Sequence, residues 1–506
     1  MALPDSLPLI PSPISATAGE GRLALMPGTL VHGCEAASAT LIDAVERRTG
    51  TRLTTSDATD DAATTIALRV DPVAAAAEGY TLRVAESIEV VGADAAGLFY
   101  GVQTLLQLLC EDEDGWGWQR AEVADAPRFA YRGVMLDVTR HFFPVDEVKT
   151  VIDRAAALKF NHLHLHLTDD QGWRIEIDAW PLLAEKASTT SANGDAGGFY
   201  TKDDYREIVG HAASRHVTIV PEIDLPGHTH AIGVAYPDLV EEPVLNDELV
   251  RATEAWGQQL PVRGEPFTGW GVGHSSVRIR DERTYDFVRD VLTELAEITP
   301  GPYLHIGGDE SLGTSAEDFA YFVERATAMV QQIGKTPVAW HEAGAAAEIA
   351  TGTVGQFWGA LKPSELHASE AAHFVARGGG LILSPSDTIY LDMKYDADYP
   401  LGLAWAGLIN VRRSYEWEPT DMLDVPDEAI LGIEGPLWTE TVRTFEDADQ
   451  LIYPRIAAVA ERAWTPAGSP QLTWDSFRTR LGAMAPLWQA DGIHFHRAAE
   501  IDWSPR

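Results

Sequence analysis

Residues 132–143 read RGVMLDVTRHFF, a short apolar run that closes on polar and aromatic side chains with no glycine-rich turn behind it. A doubly wound α/β sheet usually carries a glycine-rich phosphate loop after its first strand, so the absence of one here turns the reading away from that fold. Working outward, comparable runs recur at 161–167 (NHLHLHL), 217–224 (VTIVPEID), 303–310 (YLHIGGDE), 336–340 (TPVAW), 355–358 (GQFW), 381–385 (LILSP) and 430–438 (ILGIEGPLW). Between them lie helical or loop segments, with helices starting from Val145, near Tyr205 and Tyr285, and over 316–333 and 365–377. Short strands alternating with helices in this number predict an α/β fold, a parallel (β/α)8 TIM barrel. Most of the strands end in polar or aromatic residues, which is where barrel enzymes keep their chemistry.

Ahead of the barrel, residues 23–109 alternate helical and period-2 stretches, including TIALRV, YTLRV and SIEVVGA. DAAGLFYGVQTLLQLL places Leu98, Val102, Leu105, Leu106 and Leu109 on one helical face, as a helix lying on a sheet requires. The acidic stretch EDEDGWGWQRAEVADAPR at 111–128 reads as a linker. The expected organisation is a smaller non-catalytic α+β domain over 1–128, then the catalytic barrel with a C-terminal helical tail over 129–506.

The 506 residues include 76 acidic against 38 basic side chains, a formal charge of -38 that repels phosphate backbones and anionic lipid. No nucleic-acid or membrane partner is expected, and no apolar run is long enough to span a bilayer. Cys34 and Cys110 are the two cysteines, which excludes a disulfide framework and offers no thiolate metal site. The opening residues show neither a basic n-region nor a continuous apolar core, so a cytoplasmic enzyme is preferred to an exported one whose leader has been removed. Oligomeric state is not legible.

Within HIGGDE, an apolar strand runs into Gly307 and Gly308 and then two adjacent carboxylates, Asp309 and Glu310. Neighbouring strand residues point to opposite faces, so both acids meet one ligand only where the strand ends or bulges at the glycines. The alternative is a turn in which one of them caps a following helix. A second strand ends in Asp169 and Asp170, and a third carries Glu222, Asp224 and His228. His162, His164 and His166 share a strand face, read as buried, hydrogen-bonded imidazoles in preference to metal ligands. Trp340, Trp358 and Trp438 close three predicted strands. Flat aromatic walls beside a few carboxylates and an arginine suit a pyranose, with its apolar C–H face and polar hydroxyl rim.

RGVMLDVTRHF, HLHLTDDQGWR, PEIDLPGHT, HIGGDE, VAWHE, YLDMKY and PLWTE, in this order, resemble the family 20 glycoside hydrolases, the β-N-acetylhexosaminidases, and the bacterial members above all. GLFYGVQTLLQLL is similar to the domain that precedes the barrel in this family. The resemblance implies a retaining exo-hydrolase that releases terminal β-linked GlcNAc or GalNAc without metal or organic cofactor, using the substrate's own acetamido group as nucleophile. It implies Glu310 as general acid/base, Asp309 as the carboxylate that orients and stabilises the acetamido group, and Tyr390 as a hydrogen-bond donor to its carbonyl oxygen. By the same resemblance Arg140, Glu440 and Asp392 bind sugar hydroxyls, and Trp340, Trp358 and Trp438 wall the N-acetyl group and ring. Asp169, Asp224 and His228 correspond to a supporting polar shell. Ser311 and Leu312 depart from the pattern, since many relatives carry other residues after the acid, including a His. A disaccharide-releasing variant, a non-catalytic sugar-binding protein and a metal-dependent hydrolase built on the histidine face are the alternatives. The loop over 241–273 is the expected determinant of which glycan is taken.

Overall fold

A computed structural model describes residues 7–55 and 65–504 and divides the chain into two compact units. One runs to Ala130 and takes in Ala155–Lys159 and the chain from Tyr453 onward; the other comprises Tyr131–Arg154 and Phe160–Ile452. The segment from Tyr453 onward thus clusters with the first unit and not with the barrel. Two buried polar contacts show why. Trp464 Nε1 donates to Asp125 Oδ2 at 2.9 Å, and Glu461 takes the backbone N–H of Ser12 at 3.0 Å while pairing with buried Arg480 at 2.6 Å.

The first unit holds an eight-stranded mixed sheet, to which TIALRV, YTLRV and IEVVG contribute as expected. The helix Ala95–Gln107, capped by the Asp94 side chain, packs against it. Gly101 permits the close approach, because a Cβ there would sit 2.5 Å from Val90 Cγ1. Two expectations are corrected. Leu109 is not on the helix but begins a strand, Leu109–Asp112. The expected linker is the second half of a hairpin, Gly115–Asp125, which also pairs with Ser15–Ala24 and Tyr80–Val84. Buried Trp118, Val123 and Asp125 reward pairing of a segment whose acidic, glycine-containing start reads as loop.

The second unit is the closed parallel barrel: β1 (Tyr131–Asp137), β2 (His162–His166), β3 (Thr218–Glu222), β4 (Tyr303–His305), β5 (Thr336–Trp340), β6 (Val354–Phe357), β7 (Leu381–Leu383) and β8 (Ile430–Leu437), with β8 closing on β1. All eight are the runs read from the sequence. Helices Lys202–Ser214, Glu282–Ile298, Ala316–Gln332 and Glu365–Ala376 fall where apolar spacing predicted them. Among the described residues no helix is long and apolar enough to cross a membrane.

Inside the barrel an apolar layer of Tyr131, Val220, Val338, Val354 and Ile382 gives way to a layer of buried ions. His164 meets Glu434 at 2.9 Å and Glu222 at 3.1 Å; His166 meets Glu222 at 2.5 Å and Asp169 at 2.7 Å. Burial opposes the charged imidazole, yet Glu434 and Glu222 lift His164 to about 9, so it is cationic at neutral pH. His162 bonds Asn161 Oδ1 at 2.6 Å and stacks on Tyr131. His164 and His166 are buried and share Glu222, while His162 is partly exposed; each is bonded to protein groups.

Candidate active site

β4 stops at His305, and the chain then turns through left-handed backbone at Gly307 (φ 69°), Gly308 (φ 106°) and Glu310 (φ 45°). Gly307 tolerates no side chain, since a Cβ there would lie 1.7 Å from Asp224 Oδ1, and the Gly308 N–H donates to that oxygen at 3.1 Å. Leaving the strand breaks its alternation of faces, and Asp309 and Glu310 both line one cavity. The helix-cap alternative is not realised: the next helix begins at Ala316 and is capped by Ser315.

The cavity, of about 640 Å³, lies at the C-terminal ends of the strands and is of the size that holds a small ligand. Of the residues picked out from sequence, Arg140, His228, Asp309, Glu310, Trp358, Tyr390, Asp392, Trp438 and Glu440 line it. Asp169 and Trp340 do not. Trp340 is the last residue of β5 and fully buried, packed 6.0 Å from Trp438 with its Nε1 donating to Glu222 at 2.9 Å. Trp358 and Trp438 each stand one residue beyond a strand end, outside the layer that holds Trp340. Trp358 and Trp438 face the cavity, and Trp340 stands behind Trp438.

Arg140 is the buried cation of the site. It meets Asp169 at 2.7 Å, Asp137 at 3.2 Å and Glu440 at 4.0 Å, donates through Nε to Gln171 Oε1 at 3.1 Å, and lies 5.0 Å over the Trp438 ring. Asp169 therefore acts from behind: although burial opposes its charge, Arg140 and His228 hold it well below the usual carboxylate range. His228 touches Asp169 through Nδ1 at 3.1 Å and faces Asp309 and Glu310 through Nε2 at 3.7 and 3.6 Å. Burial opposes its protonation, but the surrounding carboxylates raise it well above the ordinary range.

Asp309 and Asp224 form an acid pair. Burial and the Asp309 charge push the Asp224 carboxyl well above the usual carboxylate range. Asp309 itself is raised to about 6 by burial, with His228 pulling down and Glu310 pushing up, and is anionic at neutral pH. Glu310 differs in exposure, with its side chain about one-third open to solvent at 34%. Tyr390 is buried beneath the cavity with its ring 6.3 Å from Trp438 and 5.8 Å from Trp405, and burial raises its hydroxyl well above its ordinary value, so it stays protonated. Ser311 accepts the backbone N–H of Gly227 at 3.1 Å, while Leu312 is exposed at the cavity edge. Those contacts are what this chain has beside the acid.

Sequence reading missed two members. Glu342 follows strand-closing Trp340 within VAWHE and holds Trp358 Nε1 at 2.9 and 3.1 Å; its signal was an acid just past a strand end. Trp405 lines the cavity and packs 6.1 Å from Trp358, but it sits in a loop with no period to mark it. The segment 241–273 does reach the cavity, through Leu249 and Trp256 of the helix Asp247–Trp256 and through Trp270.

Comparison with protein families matches residues 129–467 to the catalytic domain of glycosyl hydrolase family 20 and residues 6–126 to domain 2 of the same family. A β-N-acetylhexosaminidase of Cellulomonas fimi is 40% identical over 435 residues, 84% of this chain and 82% of that one. Among solved structures, a family 20 β-N-acetylglucosaminidase superposes with a TM-score of 0.91 at 52% identity, covering 98% of this chain and 99% of that chain. The Streptomyces plicatus N-acetyl-β-hexosaminidase in complex with Thio-NAglucal superposes with a TM-score of 0.89 at 42% identity, covering 98% of both chains. With both of its domains matched in order and the paired acids standing at the mouth of its barrel, the chain belongs to glycosyl hydrolase family 20.

Proposed function

We propose that the β-N-acetylhexosaminidase activity of this enzyme is exo-acting and retaining, with the substrate's 2-acetamido oxygen as the nucleophile. The observation that carries this reading is the position of the two acids. Asp309 and Glu310 are consecutive and both face the same atom, His228 Nε2, at 3.7 and 3.6 Å. Carboxylates converging on one point stand on one side of a bound sugar, whereas a covalent mechanism places acid and nucleophile on opposite sides of the scissile bond.

Glu310, the more open of the two, protonates the leaving oxygen and later takes a proton from water. The acetamido oxygen attacks the anomeric carbon as the glycosidic bond breaks, giving a bicyclic oxazolinium ion that water opens. Two inversions give net retention. Asp309, anionic and braced by Asp224, stabilises the positive charge that develops on the acetamido nitrogen. The Tyr390 hydroxyl donates to the acetamido oxygen, and Trp358 and Trp438 wall the group so that its angle of attack is fixed. Arg140 and Glu440, with Asp392, hold ring hydroxyls. Terminal GlcNAc, and GalNAc beside it, are the sugars this arrangement suits, presented on an oligosaccharide. The segment 241–273, which supplies Leu249, Trp256 and Trp270 to the cavity, sets what lies beyond the terminal sugar.

A side-by-side assay of aryl β-GlcNAc, aryl β-GalNAc, aryl β-glucoside and a chitobiose-type substrate tests the reading. Hydrolysis of the N-acetyl sugars, near-absent turnover of the glucoside and tight inhibition by a cyclic thiazoline are expected. Substantial glucosidase activity with thiazoline insensitivity overturns it.

A further inference from the structure

Behind the Trp358 wall lies a group of side chains that the proposed reaction does not use. The turn His341–Ala345 follows β5, and the helix Glu365–Ala376 packs against it. His367 and Glu370 are three residues apart on that helix, so they share a face one turn apart. They face His341, with the His341 and His367 rings 4.7 Å between centroids and His341 Nε2 3.9 Å from Glu370 Oε2. One ligand atom from each of the three residues lies within 4.8 Å of the others.

The polar atoms here are poorly served by the protein. His341 is fully buried and its Nε2, the nitrogen that faces Glu370, makes no hydrogen bond, nor does the buried Oε2 of Glu370. Buried polar groups in folded proteins are nearly always hydrogen-bonded or bound to an ion, so orphaned atoms converging on one point need an occupant. Two imidazoles and a carboxylate, without a thiol, are the donor set of a zinc-type centre that leaves a fourth position open. Zn²⁺ with bonds of about 2.0–2.1 Å sets its ligands roughly 3.3 Å apart, so binding requires the side chains to draw in from the 3.9 Å that separates His341 Nε2 and Glu370 Oε2. The arrangement behind the ligands fits as well. Metal-bound histidines commonly offer their other ring nitrogen to a carboxylate, and His341 Nδ1 lies 3.2 Å from Glu342 Oε2. Glu342 in turn holds the indole N–H of Trp358 at 2.9 Å.

We propose that His341, His367 and Glu370 form a divalent transition-metal site, apart from the reacting groups, whose occupancy braces Trp358 through His341 and Glu342. The chain of contacts runs from the ion to a wall of the sugar cavity, so filling the site firms the wall without placing the ion near the scissile bond. The inference stands independently of which group is the nucleophile.

The test uses the full-length enzyme after treatment with a chelator, with Zn²⁺ alone as probe, followed by isothermal titration calorimetry. One ion per chain is expected, with affinity falling at least tenfold in both His367→Ala and Glu370→Gln, as loss of a ligand requires. Thermal unfolding of the metal-free variants, each expected close to the metal-free wild type, establishes that they are folded. Co²⁺ supplies a second readout: its visible d–d absorption should intensify on binding to wild type and be lost in His367→Ala. Zn²⁺ should also lower KM for aryl β-GlcNAc in wild type and leave KM of His367→Ala unmoved. No binding at millimolar Zn²⁺, or equal affinity in wild type and both variants, overturns the proposal.

Discussion

Replacing Arg140 by Met removes the charge that three carboxylates of the site share while keeping an unbranched apolar stem. Arg140 is 3% exposed and meets Asp169 at 2.7 Å, Asp137 at 3.2 Å and Glu440 at 4.0 Å. Breaking a buried ion pair by deleting one partner costs about 3–5 kcal/mol, because the remaining charge stays buried and unpaired. At roughly 2 °C per kcal/mol, the unfolding midpoint should fall by about 6–10 °C at pH 7. The deficit should depend on pH in a set direction. In the wild type Arg140 holds Asp169 well below its ordinary value, so Asp169 adds stability above the unfolded pKa of about 4 and loses it as pH falls through the folded value. The variant lacks part of that contribution, so the gap between the proteins is full at pH 7 and narrows once pH drops below about 4. Hydrogen bonds to charged groups are worth about 1.5–3 kcal/mol, so kcat/KM should drop roughly 10- to 150-fold besides. Calorimetric unfolding at pH 7 and pH 3.5, beside kinetics on aryl β-GlcNAc, measures both. An unchanged midpoint at pH 7, or a gap that widens in acid, refutes the account of Arg140.

Glu310→Gln should keep the wild-type unfolding midpoint, since Glu310 is partly exposed, while turnover falls on the order of 10²- to 10⁴-fold, most for poor leaving groups; normal kcat on a chitobiose-type substrate removes the assignment. Trp438→Ala should raise KM, lower kcat and also cost about 3–5 kcal/mol of stability, because this wall is buried against Tyr390 and Trp340; urea unfolding beside the kinetics shows whether all three occur. Because Asp309 is raised to about 6 and must be ionised, kcat/KM should fall as pH drops through about 6. Asp224→Ala, which removes the neighbouring carboxyl that pulls Asp309 down, should move that acid limb to higher pH, and an unmoved limb in its pH–rate profile contradicts the acid pair.

The barrel was legible because each strand is a short apolar run whose polar end marks its mouth, and because helices such as Ala316–Gln332 show their period directly. The turn that presents Asp309 and Glu310 was legible for a local reason, the two glycines before them. What escaped depends on partners distant in sequence. Nothing near His164 says that Glu222 and Glu434 will flank it, as those acids come from β3 and β8. Trp340 reads like Trp358 and Trp438 until the strand end is known to the residue: it lies inside β5, and the others lie one step past β6 and β8. The hairpin through Gly115–Asp125 was hidden by its charge, and the tail from Tyr453 by polar contacts to Ser12 and Asp125 that no periodicity announces.

The central claim is that the acetamido oxygen of the substrate is the nucleophile. A series of aryl β-glucosaminides with acetyl, monofluoroacetyl, difluoroacetyl and trifluoroacetyl groups on nitrogen tests it most directly, because each fluorine withdraws electrons from that oxygen and leaves the leaving group alone. Participation predicts a steep, monotonic fall in kcat/KM along the series, of several orders of magnitude in total, given that each 1.36 kcal/mol added to the barrel enzyme's transition state is tenfold in rate. A flat series, with rates alike from acetyl to trifluoroacetyl, contradicts the account and returns the nucleophile's role to a carboxylate of the protein.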